Sequence, residues 1–147
     1  MPVTVKNISL WRKEVQNQAG LLAKTLTPVT KAGANLQVLM GYRFPGDATK
    51  AAIEVYPVRG KKVTAAASEA GLAASSIPTL LVEGEDRPGL GLAIAQAIAG
   101  AGINMAFFVA QTFGRRFSAV LGFETEVDAT TAAPLIKKAT PGKTAKR

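Results

Sequence analysis

The sequence predicts an α+β protein built from two tandem ferredoxin-like βαββαβ units, paired side by side into one sheet with the helices on one face. Three observations lead there. The chain repeats itself at an offset of 69 residues, helical and strand periodicities follow one another in the same order in both copies, and glycines stand at matching turns.

The repeat is carried by boundary positions. Ile8-Ser-Leu-Trp-Arg-Lys-Glu14 stands beside Ile77-Pro-Thr-Leu-Leu-Val-Glu83, and Asn17-Gln-Ala-Gly20-Leu21 beside Asp86-Arg-Pro-Gly89-Leu90. Further on, Ala32-Gly33-Ala-Asn35 matches Ala101-Gly102-Ile-Asn104. Turn and boundary positions are where shared apolar composition is least able to produce coincidental likeness, so two copies of one unit is the economical reading.

Each copy opens with a strand, rich in strand-forming residues from Ile8 and from Ile77. Between the paired glycines lies a helix, with Leu22, Leu26 and Val29 inward in the first copy and Leu90, Ile94, Ala97, Ile98 and Ala101 inward in the second. Pro88 suits the first helical turn, and Gly33 and Gly102 suit left-handed C-terminal caps. Pro28 is expected to kink the first helix, since it removes one hydrogen bond. Alternating residues from Leu36 to Phe44, and the run Met105 to Phe113, form the next strands. Pro45-Gly-Asp47 and Gly114-Arg-Arg116 turn each into a hairpin with Ala51–Tyr56 and Ser118–Phe123. At these strands the repeat offset is read as 67, placing a two-residue difference in the hairpin loop. Second helices follow over Lys61–Ala70, with Val63, Ala66, Ala67 and Ala70 inward, and over Asp128–Ala139.

No fourth strand follows either second helix. Leu72-Ala-Ala-Ser-Ser76 runs straight into the next copy, and Thr140–Arg147 reads as a solvated basic tail. The run from Val3 is the candidate edge strand, lent to the other copy. The domains are accordingly drawn at residues 1–72 and 73–147, with 140–147 as the tail. Apolar strand edges left open in so small a unit motivate the side-by-side pairing of the copies, and tandem linkage raises each copy's local concentration.

Composition excludes several functions. The chain has no cysteine and no histidine, which removes thiolate and imidazole chemistry. The acids and lysines form no pair that the pattern places in one pocket, so no catalytic centre, metal site or cofactor is expected. The net charge of +8 is split between residues 1–72 and the terminal tail, with an acidic stretch over 73–136. A nucleic-acid binder concentrates such charge on one face. No apolar run approaches the roughly 20 residues of a membrane span, and the N-terminal residues have no secretory pattern. A cytoplasmic protein is expected.

Asp86-Arg-Pro-Gly-Leu-Gly-Leu-Ala-Ile-Ala-Gln-Ala-Ile-Ala-Gly-Ala-Gly-Ile-Asn-Met105 resembles the opening of an ACT domain: a strand, a loop of the type Asp-Arg-Pro-Gly, an amphipathic helix, then Ala-Gly, an apolar residue and Asn entering the second strand. Asn17 through Leu36 resembles the same pattern, with Asn17 in place of the acid and Ala19 in place of the proline. The resemblance covers nearly the whole chain apart from the final strand. It implies a regulatory module that binds an amino acid or similar small molecule where two units meet. The implied site joins Asn17, Gln18, Ala19, Gly20 and Leu21, or Asp86, Arg87, Pro88, Gly89 and Leu90, with Asn35 or Asn104. The physics agrees: helix N-termini at Gly20 and Gly89 suit a carboxylate, glycine allows its close approach, and Asp86 suits an ammonium. Each position also has a purely structural reading. The glycines serve tight turns, the asparagines tolerate left-handed backbone, and Asp86 caps a helix.

The resemblance further implies a homodimer formed through sheet edges or helices, and an enzyme as the regulated partner. Nucleic acid and membrane are not expected partners. Two other functions fit the fold. Phe113-Gly-Arg-Arg-Phe117 is similar to the aromatic strand of an RNA-recognition sheet, and a ligand-free assembly module needs no site. Gly89-Leu-Gly91 lacks the small residue that a dinucleotide loop requires at Ile94, and Gly142-Lys-Thr144 lacks a phosphate loop's first glycine.

Overall fold

The computed structural model describes residues 3–141, which divide into two compact units, 9–76 and 3–8 with 77–141. In chain order the elements are β1 (Thr4–Ile8), β2 (Trp11–Gln16), α1 (Leu21–Lys31), β3 (Val38–Phe44), β4 (Asp47–Tyr56), α2 (Lys61–Glu69), β5 (Ala73–Ala74), β6 (Thr79–Glu85), α3 (Leu90–Gly100), β7 (Met105–Phe113), β8 (Arg116–Phe123) and α4 (Glu126–Ala139). Residues 142–147 of the basic tail lie outside the described residues. Thr140, counted with that tail above, is buried, and its hydroxyl donates to the Ile136 carbonyl at 2.7 Å to end α4.

The strands form two antiparallel four-stranded sheets, in the orders β3-β4-β2-β5 and β1-β6-β8-β7. They replace the single continuous sheet suggested by the sequence. The reason is visible in the strand orders. β5 pairs with β2, and β1 pairs with β6 from Thr4↔Glu83 to Ile8↔Thr79, so the edges expected to stay open are each covered. β1 stands in its sheet where β5 stands in the other. It is the fourth strand of the 77–141 unit, moved to the front of the chain. The boundary at residue 72 is therefore replaced by two boundaries, since residues 3–8 fold with the second copy and Ser9–Ser76 with the first.

Leu90, Ile94 and Ile98 of α3 and Ala129, Ala132 and Ile136 of α4 cover Leu80, Val82, Phe117, Ala119, Leu121 and Phe123 of their sheet. Fully burying each large apolar side chain contributes about 1.5–3 kcal/mol. The 9–76 unit builds a lighter core, with Val29, Ala67 and Leu72 over Ile53 and Val55, supported by Trp11, Val15 and Leu26. Thr25, which matches Ile94, is buried with no hydrogen-bond partner for its hydroxyl among the described residues.

Several expectations shift. Leu22 is 41% exposed, and Thr25 takes its place on the inward face of α1. Ala101 is exposed, past the end of α3. α1 continues through Pro28 to Lys31. α4 begins earlier than Asp128, because Thr125 accepts the Asp128 amide at 3.1 Å as its N-cap. Gly33 and Gly102 are left-handed as expected, but among the described residues none other than glycine has positive φ, so Asn35 and Asn104 are not left-handed.

The offset of 67 is also corrected. Val15 pairs with Ala51 and Ala51 with Arg43, while Gly84 pairs with Phe117 and Phe117 with Thr112. Ala51 and Phe117 therefore occupy equivalent positions, 66 residues apart. The difference is a three-residue insertion, Ala48–Lys50, where the β3–β4 ladder steps from Arg43↔Ala51 to Phe44↔Asp47.

β1 lies so close to β6 that a Cβ on Gly84 would meet Val3 Cγ1 at 2.9 Å and Val3 Cα at 3.2 Å. Gly84→Val should displace β1 and cost about 1–3 kcal/mol by overpacking. Urea unfolding measures the cost, and faster hydrogen exchange at the β1 amides would locate it. A variant as stable and as protected as the parent would refute the assignment of β1 to this core.

Candidate functional site

The two loops entering α1 and α3 have the same backbone. Gly20 (φ 86°) and Gly89 (φ 83°) are left-handed N-caps, a conformation glycine adopts without penalty. The Gly20 carbonyl accepts the Lys24 amide at 3.0 Å and the Gly89 carbonyl accepts the Ala93 amide at 2.9 Å. Amides earlier in each first turn have no intrahelical acceptor and form the positive end of the helix dipole.

The loops differ in what secures them. Asn17 donates its side-chain amide to the Ala48 carbonyl at 3.0 Å, and its backbone amide donates to the Thr49 carbonyl at 2.8 Å. Asn17 thereby clamps the insertion on β4, and a carboxylate at this position would have no proton to give. The Asp86 backbone amide donates to the Arg115 carbonyl at 2.8 Å, and among the described residues its half-buried carboxylate makes no ion pair. Arg87 donates to the Pro141 carbonyl, while Pro88 and Gly89 are exposed. Leu90 is buried, 2% exposed, whereas Leu21 is half-buried.

A cavity of about 200 Å³ lies beneath the first turn of α1. Asn17, Gln18, Leu21 and Leu22 line it from the loop and helix, Val15, Ala51 and Ile53 from the sheet, and Gly41 and Arg43 from β3. Of the sequence-derived site residues, Asn17, Gln18 and Leu21 meet here. Ala19 and Gly20 are exposed beside it. Asn35 belongs to a second cavity of about 290 Å³ with Gln37, Arg59 and Val63. It sits past the other end of the 11-residue α1, about 16 Å away at 1.5 Å per residue. Asn104 stands likewise past the end of α3. Within one unit, then, loop and asparagine do not share a small ligand. Gly41, Arg43 and Ala51 were not singled out from the sequence.

A polar cluster occupies the helix-free face of the same sheet, where Arg12, Glu54 and Met40 are cross-strand neighbours. The Glu54 side chain is fully buried. Its Oε2 accepts the Tyr42 hydroxyl at 2.6 Å and lies 3.7 Å from Arg12 Nε, while its Oε1 has no partner among the described residues. Arg12 also donates to Glu14, which holds that carboxylate below its usual range, and its guanidinium lies 5.8 Å from the Phe44 ring centroid. Burial and the hydrogen bond to Glu54 push the Tyr42 hydroxyl above its usual pKa.

The aromatic pair considered for RNA is split across the sheet. Phe113 is 85% exposed, while Phe117 is 5% exposed within the core under the helices. They present no common stacking face. Among the described residues, no helix is long and apolar enough to cross a membrane.

No protein-family model matches the sequence, and no curated protein does. Solved structures do match. The chain is similar to protein BT0572 from Bacteroides thetaiotaomicron, with a TM-score of 0.69 at 12% identity over 87% of each chain. It is similar to the regulatory subunit of aspartate kinase from Thermus thermophilus in its ligand-free form, with a TM-score of 0.62 at 18% identity, covering 96% of this chain and 99% of that one. The corresponding subunit from Thermus flavus gives 0.59 at 19% identity, covering 95% and 97%. The fold is the tandem ACT-type fold. Sequence identity this low speaks to the fold alone.

Tyr42→Phe leaves a buried carboxylate oxygen without its donor and should cost about 1–3 kcal/mol near neutral pH. Because the tyrosine's folded pKa is raised, its contribution is fully present below the ordinary value near 10 and is lost as pH climbs through the raised one. Urea unfolding of both proteins should therefore show their stability gap narrowing at strongly alkaline pH. An unchanged gap would mean that the hydroxyl contributes nothing through Glu54.

Proposed function

We propose that this chain is a non-catalytic regulatory protein that binds a small molecule, an amino acid in the first instance. One observation carries the reading: the cavity at the loop where β2 enters α1, beside the helix N-terminus and lined by the Arg43 cation and apolar side chains. The fold shared with regulatory subunits of aspartate kinase supports it. Self-association and a regulated enzyme partner belong to the same proposal.

A thermal-shift screen of the twenty amino acids tests it. Ligand at 100 times its dissociation constant stabilises by about 2.7 kcal/mol, a shift of several degrees. No response to any amino acid would defeat the reading. Gly20→Val should weaken binding while costing about 1–2 kcal/mol of stability through the left-handed backbone, since this glycine faces open space. Asn17→Asp, expected from the sequence to strengthen binding or leave it unchanged, should instead loosen the loop, because it loses the donor to Ala48.

A further inference from the structure

The two copies differ most at the spot where the cavity lies. In the 77–141 unit, Phe117 of β8 is 5% exposed and lies in the same core as Leu90, the first residue of α3. The corresponding residue in the 9–76 unit is Ala51, flanked by Val15 and Arg43 just as Phe117 is flanked by Gly84 and Thr112. With a methyl group in place of a benzyl group, the space under α1 stays open, and Leu21 remains half-buried where Leu90 is 2% exposed. Gly41 on the neighbouring strand adds no side chain, and a Cβ there would reach Leu22 at 3.6 Å.

We propose that the 9–76 unit alone receives a ligand side chain, in the cavity under α1, and that the Phe117 ring fills the equivalent space in the other unit. The chain then binds one small aliphatic amino acid rather than two. This deepens the proposed function and rests on it.

The lining specifies the ligand's chemistry. Val15, Leu21, Leu22, Ala51 and Ile53 offer apolar contacts, and the polar lining residues Asn17 and Gln18 belong to the loop, so the group inserted between helix and sheet is aliphatic. A volume of about 200 Å³ equals about seven water molecules at their liquid volume of about 30 Å³ each. That admits a branched side chain and excludes a nucleotide. Two features at the mouth suit a carboxylate. Arg43 is exposed and makes no ion pair among the described residues, and the Leu22 and Ala23 amides of α1 precede Lys24, whose amide is the first to find an intrahelical acceptor. A carboxylate attached to a branched aliphatic chain satisfies both ends of the site.

The test uses the full chain with valine, leucine and isoleucine as probes, glutamate and lysine as polar controls, and titration calorimetry for affinity and stoichiometry. One aliphatic probe should bind at one site per chain, more tightly than either control. Ala51→Phe should weaken it at least about tenfold while the melting temperature holds or rises, because the other copy already accommodates phenylalanine there. Ala51→Leu supplies a smaller plug should the ring fail to fit, and it should weaken the same probe. Two sites per chain, tighter binding of a polar control, or unchanged affinity in both variants would overturn the proposal and leave the amino-acid function standing. Silence from all twenty amino acids would instead defeat the functional reading itself.

Discussion

The ladder between β2 and β4 decides which residues of β4 face the helices, and the site depends on that register. Side chains alternate strictly along a strand, so a shift of one residue would exchange the two faces. With Trp11 against Val55 and Val15 against Ala51, the helix-facing set is Ala51, Ile53 and Val55, while Ala52, Glu54 and Tyr56 take the opposite face. The same alternation puts Arg12 and Tyr42 beside Glu54 and leaves Gly41 and Arg43 to the helix side. Cavity and polar cluster are thus two faces of one register. The clamp from Asn17 to Ala48 and Thr49 lies where that register meets the inserted residues.

Topology imposes the second constraint. A βαββαβ unit needs a fourth strand beside its first. The 9–76 unit supplies it locally as β5, two residues long, whereas the 77–141 unit takes it from the far end of the sequence as β1, five residues long. The longer strand also delivers Val3 and Val5 to the core of its unit. Gly84 permits that approach, so the glycine that replaces Val15 in the second copy and the valine that arrives with β1 are complementary. Phe117 and Ile94 make the core of the 77–141 unit heavier than that of the 9–76 unit, where Ala51 and Thr25 hold the equivalent positions.

Much of this was legible in the residues because the repeat supplied two readings of each element. Gly20, Gly33, Gly89 and Gly102 mark helix ends by a conformational need that few other residues meet, and all four are left-handed in the structure. The strands and helices between them followed from periodicity. The displaced fourth strand was visible as a surplus at Val3 and a deficit after Ala139, but strand pairing across more than 70 residues leaves no local signal. The cavity escaped for a sharper reason. An offset of 67 sets Phe117 against Lys50, on the wrong face, and hides the exchange of phenylalanine for alanine. The insertion Ala48–Lys50 contains no glycine or proline to announce it. Its one mark is Asn17, which reads in sequence as a weakened ligand residue and in structure as the donor that holds the insertion.

That change of meaning at Asn17 bears on how the two copies divide their labour. An aspartate in the loop keeps a carboxylate, which at Asp86 makes no ion pair among the described residues, but cannot donate to a carbonyl. An asparagine gives up the charge and gains the donor. In the first copy the donor is committed to the inserted residues of β4, next to the cavity that Ala51 leaves open. In the second copy there is no insertion to hold, the equivalent space is packed by Phe117, and the loop retains its acid. Loop, insertion and core residue therefore vary together: one copy combines a clamped loop with an open interior, the other an acidic loop with a closed one. Each substitution, taken alone, weakens something, since Ala51 forfeits core packing and Asn17 forfeits a charge. Together they yield a unit that trades apolar burial for a lined cavity, beside a sister unit that keeps its core whole.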